Sequence, residues 1–207
     1  MDHIEIELKF HISDFDDLRG RFLDLGALCI RRQTLEINAR YDTGDNRLLE
    51  RHCLLRLRKD VGATLTFKSP PPTAGTRFKR FRELEVGVSD FDTMEAILNA
   101  LGYRRRQTYE KWRETWQAEG VTLCLDTMPF GRFLEIEGEP DAIMLMVRDL
   151  GLQWDRRILY SYLGIFEVLR EKEELPFRDV TFDNFKAVSI PFERHCHRFE
   201  TGGTDGR

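Results

Sequence analysis

Residues 3–10 read HIEIELKF. Ile4, Ile6, Leu8 and Phe10 alternate with Glu5, Glu7 and Lys9, the period of two that gives a strand one apolar and one charged face. Most half-buried strands turn the charged face to water. The other arrangement turns it into a polar interior. One strand does not choose between them. The choice rests on whether the remaining strands carry the same two faces, and in what order.

Short alternating runs recur at 36–42, 53–59, 63–68, 81–88, 108–116, 121–126 and 133–138, making about eight strands with 3–10. Turn signals lie between them: TGDN at 43–46, PPPTAG at 70–75 and AEG at 118–120. Arg56 and Arg58 oppose Leu55 and Leu57. Thr64, Thr66 and Lys68 oppose Leu65 and Phe67. Lys111 and Arg113 oppose Trp112 and Trp116, Asp126 opposes Leu123 and Leu125, and Glu135 and Glu137 oppose Leu134 and Ile136. Solvated mixed-charge faces are common on antiparallel sheets and blunt edge pairing. Here, however, the charges are sorted. Carboxylates fall on the first strand, on RELEV at 82–86 and on the last two strands, while cations fall on the strands between. Solvated faces need no such segregation. The expected fold is α+β, an eight-stranded antiparallel barrel with its charged faces inside and helices packed outside.

Helices fill the gaps. Ser13 or Asp14 can cap the first, in which Phe15, Leu18, Phe22 and Leu25 recur at helical spacing before Gly26. SDFDDLRGRFLDLG at 13–26 is echoed by SDFDTMEAILNALG at 89–102, and each copy follows a strand with an ExE pair. The echo suggests two related halves. A third helix starts at Pro140 and Asp141, and a fourth is expected at about 157–173. The domain itself is expected over 1–166, with 167–190 as an extension packed on the barrel and 191–207 as a disordered tail. That tail holds His195, Cys196 and His197 and ends TGGTDGR, so it is not read as a metal site.

The 207 residues are 41% apolar, enough for a sizeable core. Charged residues make up 33%, yet the net charge is only -4, so acids and bases are held together. Neither a nucleic-acid binder nor an acidic tail protein has this balance. No apolar run approaches membrane-spanning length, and no signal peptide is expected before the first strand. Cys29, Cys53, Cys124 and Cys196 form no CxxC pair, which fits a reducing cytoplasm.

The carboxylates Glu5, Glu7, Asp126, Glu135 and Glu137 are hard oxygen donors, suited to Mg2+ or Mn2+. Arg56, Arg58, Lys68, Lys111 and Arg113 suit a long anion rich in phosphoryl oxygens. Both sets together fit a triphosphate brought in as its metal complex.

EIELK at 5–9 resembles the ExExK signature of the CYTH domain, or triphosphate tunnel metalloenzyme, superfamily, which includes class IV adenylate cyclases and thiamine triphosphatase. It is followed in family order by YDT at 41–43, LRLRK at 55–59, LTFK at 65–68, RELEV at 82–86, EKWRE at 110–114, LCLD at 123–126 and GRFLEIEG at 131–138, and YSYLGIF at 160–166 resembles the closing helix. The resemblance implies an eight-stranded tunnel. It implies metal ligands at Glu5, Glu7, Asp126, Glu135 and Glu137, and triphosphate ligands at Lys9, Arg56, Arg58, Lys68, Arg82, Lys111 and Arg113. Lys9, Glu83, Glu85 and Asp126 are the implied catalytic groups. Arg82 alternates out of phase with Glu83 and Glu85, so it faces inward only if a bulge turns it. Arg40 stands where many members of the family carry an aromatic residue. The expected activity is metal-dependent hydrolysis of an inorganic or organic triphosphate. The alternatives are class IV adenylate cyclase, converting ATP to cyclic AMP and pyrophosphate, and a non-catalytic polyphosphate- or nucleotide-binding module. The expected partner is a small-molecule triphosphate, with no nucleic acid or membrane; a homodimer is compatible with the sequence.

Overall fold

Period-two alternation does build strands here, and they close on themselves. The structure is a computed structural model that describes residues 4–71 and 77–202. In chain order the strands are β1 (Ile4–His11), β2 (Leu28–Asp42), β3 (Leu54–Lys59), β4 (Ala63–Ser69), β5 (Lys79–Val88), β6 (Arg104–Ala118), β7 (Val121–Met128) and β8 (Gly131–Gly138). They form a closed antiparallel barrel in the order β1-β5-β4-β3-β2-β6-β7-β8. The helices are α1 (Phe15–Asp24), α2 (Arg47–Glu50), α3 (Phe91–Ala100), α4 (Pro140–Asp149) and α5 (Tyr162–Lys172). Among the described residues no helix is long and apolar enough to cross a membrane.

The echo between the halves is visible in the packing. Asp14 caps α1 and Asp90 caps α3, each by accepting backbone N–H groups of the first turn. Gly26 and Gly102 follow with φ of 72° and 93°, the left-handed exit that a side chain disfavours. In strand order β1 and β5 lie side by side, and each then meets the last strand of the other half, β8 and β4 respectively. The helices cross over as well. Phe15, Leu18 and Phe22 of α1 pack with α4 on Trp116, Leu123, Leu125, Leu134 and Ile136 from the second half. Phe91, Met94 and Leu98 of α3 pack on Ala39, Tyr41, Leu55 and Leu57 from the first. Phe22 meets Trp116 edge to face at 5.5 Å.

Several boundaries differ from the expected ones. β2 begins at Leu28, not at 36, because its first residues pair with the far end of β6 beyond the charged barrel; that outer arm is exposed and lacks the sorted alternation. The fourth helix begins only at Tyr162, preceded by a short 3-10 turn at Trp154–Arg156. The turn signal at 70–75 lies largely outside the described residues, as do residues 203–207.

The tail reading is corrected for residues 191–202. Phe192, Cys196 and Phe199 are buried, packed with α5, Phe130 and Phe133. Phe192 stacks on Phe199 at 5.5 Å and meets Phe133 at 5.0 Å, so apolar burial holds a segment whose ending looked merely polar. The preceding stretch packs too. Val180 accepts from Glu110 N and donates to Thr108 O along β6.

Leu134 is fully buried on the outer face of β8. Leu134→Ala should therefore cost about 2–5 kcal/mol of stability in urea unfolding, with affinity for any ligand inside the barrel unchanged under conditions where the variant is folded.

Candidate active site

Strand parity alone decides which side chains enter the barrel. Glu5 and Glu7 of β1, Arg56 and Arg58 of β3, Lys68 of β4, Glu83 and Glu85 of β5, Lys111 and Arg113 of β6, and Glu135 and Glu137 of β8 all line one cavity of about 790 Å³. The register explains the meeting. Glu7 stands opposite Glu137, and Lys9 opposite Glu135, across β1 and β8. Lys68 stands opposite Glu83, and Thr66 opposite Glu85, across β4 and β5.

The walls form a continuous net of opposite charges. Lys68 pairs with Glu5 and, at 3.1 Å, with Glu83. Arg113 pairs with Glu135 and donates from Nε to Asp126 at 2.7 Å. Arg56 donates to Tyr109 Oη at 3.3 Å and to Thr66 Oγ1 at 3.2 Å, and Thr66 donates to Glu85 at 2.9 Å. Arg58 lies 3.7 Å from Glu85. Charges buried this deeply persist only when paired.

Three expected site residues are placed elsewhere. Arg82 is on the outer face: it stands opposite Ile4 and Ser69, and no bulge breaks the alternation of β5 between Phe81 and Glu83. Lys9 and Asp126 face inward but lie beneath the cavity wall, each fully buried. Lys9 donates to Tyr160 O at 3.0 Å and sits 3.3 Å from Glu135, with the Tyr162 ring 5.1 Å away. Asp126 accepts from Lys111 Nζ at 3.1 Å, from Arg113 and from Tyr162 Oη at 2.8 Å. Both therefore brace lining groups from behind. They are held there by Tyr160, just before α5, and by Tyr162, its first residue, whose contribution no strand periodicity reveals.

Other residues were missed. Lys79 lines the cavity and pairs with Glu7. Counting back in twos from Glu83 would have found it. Glu36, from the inward phase of β2, is buried 3.6 Å from Lys111. Tyr109, Tyr162 and Arg40 also line the cavity.

The carboxylates differ in what surrounds them. Burial alone would raise Glu7, but Lys79 and Lys9 hold it down at about 2. Glu135 is likewise held at about 2 against its burial, by Lys9 and Arg113. Glu5 goes the other way. Burial, then the charge of Glu7, raise it to about 7 despite Lys68. Burial and Glu7 also raise Glu137, which has no hydrogen bond or ion pair with any described residue. Two under-compensated acids beside two compensated ones, all oxygen donors on adjacent strands, fit a hard divalent cation. Among the described residues no three acids converge on one point as they stand. Lys68, Lys79 and Arg113 occupy oxygens of Glu5, Glu7 and Glu135.

A pH test follows from Glu5. Its folded pKa of about 7 exceeds the ordinary 4.5, so between those values the folded state binds the extra proton and stability falls as pH rises. Glu5→Gln should raise the urea midpoint at pH 8, where the buried charge is fully developed, and leave it nearly unchanged at pH 4. A lower midpoint at pH 8 would mean that the pair with Lys68 outweighs burial. The depressed Glu7 and Glu135 act oppositely: their stabilisation is present above 4.5 and is lost as pH falls towards 2.

The fold has solved counterparts. A candidate adenylate cyclase from Vibrio parahaemolyticus aligns with a TM-score of 0.70 at 19% identity, over 81% of this chain and 99% of that one. The PH1819 protein of Pyrococcus horikoshii gives 0.66 at 24% identity, over 80% and 99%. HpAC1 from Hippeastrum, a candidate adenylyl cyclase with a dominant triphosphatase activity, gives 0.55 at 20% identity, over 85% and 98%. At these identities the likeness shows the fold. No curated protein matches the chain. The CYTH domain model matches residues 3–161, most of the chain and the whole barrel. With the signature strands in order and the barrel closed around their charged faces, this chain belongs to the CYTH domain family.

Proposed function

We propose that the barrel is a triphosphatase: it binds a triphosphate with a divalent ion, Mg2+ or Mn2+, and directs water at the terminal phosphorus. One observation carries this reading. Cations of β3, β4 and β6 face acids of β1 and β8 across a single cavity. An anion pocket needs no acids and a metal site needs no arginines. A metal-bound polyphosphate needs both.

Arg56, Arg58, Lys68, Lys111 and Arg113 bind phosphoryl oxygens, the arginines through paired N–H groups. Glu5, Glu7, Glu135 and Glu137 would hold the ion, which supplies charge neutralisation and polarises the phosphoryl oxygens. Lys68, Lys79 and Arg113 now pair with Glu5, Glu7 and Glu135, so a phosphate chain would draw on the same cations, and a divalent ion on the same carboxylates, that hold the wall together. Asp126 keeps Lys111 and Arg113 aimed, and Lys9 keeps Glu7 and Glu135 in place. Catalysis is then mostly positioning and charge stabilisation in a preorganised site.

The cyclase reading places the ribose 3′-hydroxyl of ATP, instead of water, at the α-phosphorus. The same lining serves both reactions. Product analysis separates them: purified protein with Mg2+ or Mn2+ should release phosphate from a triphosphate, whereas cyclic AMP and pyrophosphate from ATP would establish cyclisation. Binding without turnover would leave only a binding module.

Arg56→Ala and Arg58→Ala should each lower kcat/KM for the triphosphate about tenfold or more, the worth of a charged hydrogen bond of about 1.5–3 kcal/mol. Inorganic triphosphate with Mg2+ should raise the melting temperature more than phosphate does, by an amount equivalent to about 2.7 kcal/mol at a hundredfold excess over Kd. An equal shift with phosphate at matched ionic strength would rule out a site built for a chain of phosphates.

A further inference from the structure

β6 outruns its partner β7. The two pair only from Trp112 to Ala118, so residues 104–111 present one backbone edge that β7 does not reach. An uncovered edge leaves N–H and C=O groups unpaired and invites a foreign strand. Beside the cavity this edge is covered by the chain's own C-terminal part, where Val180 forms an isolated parallel bridge with Tyr109. The covering segment lies beyond residue 161, where the match to the CYTH domain ends.

The cover is a close set of hydrogen bonds. Thr108 N donates to Asp179 Oδ1 at 2.8 Å, Val180 N donates to Thr108 O at 2.8 Å, and Glu110 N donates to Val180 O at 2.9 Å. Gln107 Nε2 donates to Arg178 O at 2.7 Å, and Phe182 N donates to Glu110 Oε2 at 2.9 Å. Val180 is fully buried, in the same apolar cluster as Tyr109, Phe166 and Phe185. The backbone on both sides of Tyr109 is therefore fixed from outside the barrel.

Tyr109 itself turns inward. It lines the cavity, and its Oη accepts from Arg56 Nη1 at 3.3 Å. Arg56 also donates to Thr66 Oγ1 at 3.2 Å, whereas Glu85 lies 3.8 Å away, too far for a hydrogen bond. Two hydroxyls, rather than a carboxylate, thus set the direction of this guanidinium.

We infer that residues 178–182 position Arg56 through Tyr109. The segment fixes the β6 edge, the edge sets the depth of the Tyr109 ring, and Oη aims the guanidinium into the cavity. The consequence for turnover rests on the triphosphatase reading; the linkage from segment to Arg56 does not. Asp179 lies outside the cavity lining, so it acts only through the strand it holds. A long side chain that is aimed in advance has less freedom to lose when a ligand arrives, which lowers the cost of binding.

The test follows Arg56 in two ways, in Tyr109→Phe, Asp179→Ala, Asp179→Asn and the double variant Tyr109→Phe/Asp179→Ala. One is KM for inorganic triphosphate with Mg2+. The other needs no ligand: the rate at which phenylglyoxal modifies Arg56, read by mass spectrometry of the peptide that contains it. Tyr109→Phe keeps the ring and removes the hydroxyl. It should raise KM about tenfold, the scale of one hydrogen bond to a charged group, with less effect on kcat. Modification of Arg56 should become several-fold faster. Asp179→Ala should move both readouts in the same direction, and Asp179→Asn, whose amide oxygen still accepts from Thr108 N, should restore most of each. The double variant should be no worse than Tyr109→Phe, because both changes act through one contact. Additive effects in the double variant would overturn the inference. So would Asp179→Ala that lowers the melting temperature while KM and Arg56 reactivity stay at wild-type values, which would make the segment a brace for the fold alone. Wild type that turns over no triphosphate is a separate failure, of the parent reading; Arg56 reactivity then decides the linkage by itself.

Discussion

The barrel depends on β1. It joins β5 on one side and β8 on the other, and so closes the ring, yet its inward face is Glu5, Glu7 and Lys9. Across β8 it meets Glu135 and Glu137, which sets Glu7 directly opposite Glu137. Like charges opposed in a sheet are unfavourable. Closure is tolerated because Lys79 and Lys9 lie against Glu7, and Lys9 and Arg113 against Glu135. The cations of the other strands are thus structural counter-ions as well as candidate ligand groups.

That double use has consequences for function. The lining side chains are already held by their own ion pairs, so little side-chain order would remain to be imposed by a ligand. On the triphosphatase reading proposed above, a polyphosphate would compete for the cations and a divalent ion for the acids, and neither alone would serve both sets. The under-compensated Glu5 and Glu137 mark where the net is short of positive charge, at the β1 and β8 wall. Beneath the lining, Lys9 and Asp126 carry the opposite charges to the groups they support, so the net continues into the second layer and is anchored by Tyr160 and Tyr162.

The repeated strand-helix unit explains why such a charged interior can be enclosed at all. Each half contributes a helix whose apolar stripe covers the outer face of the other half's strands. The halves are therefore interlocked, and two of the three hydrophobic clusters lie on the outer face of the sheet. The third closes one end of the interior, where Tyr109, Met128 and Phe133, on the inward phase of their strands, pack with α5. Elsewhere the inward positions can carry charge without emptying the core.

Much of this was legible in the chain. Period-two alternation fixes which face each residue joins, so the inward placement of Glu5, Arg56, Lys68, Arg113 and Glu137 follows from local sequence. Parity likewise argued against Arg82, which entered the site only through resemblance, and it would have supplied Lys79 had β5 been read from its true start. Parity cannot assign depth. Whether an inward charge reaches the cavity or lies behind its wall is set by what packs on it, and for Lys9 that is the carbonyl of Tyr160, 151 residues away. The burial of Phe192, Cys196 and Phe199 was hidden for the same reason, since their partners come from α5 and β8 and no period within the segment reports them. Sequence by itself determined the two faces of the strand segments that wall the barrel, because that information is local; the outer arm of β2 lacks the alternation and was not legible. Tertiary structure decided which inward charges reach the cavity, because that depends on contacts between residues far apart in the chain.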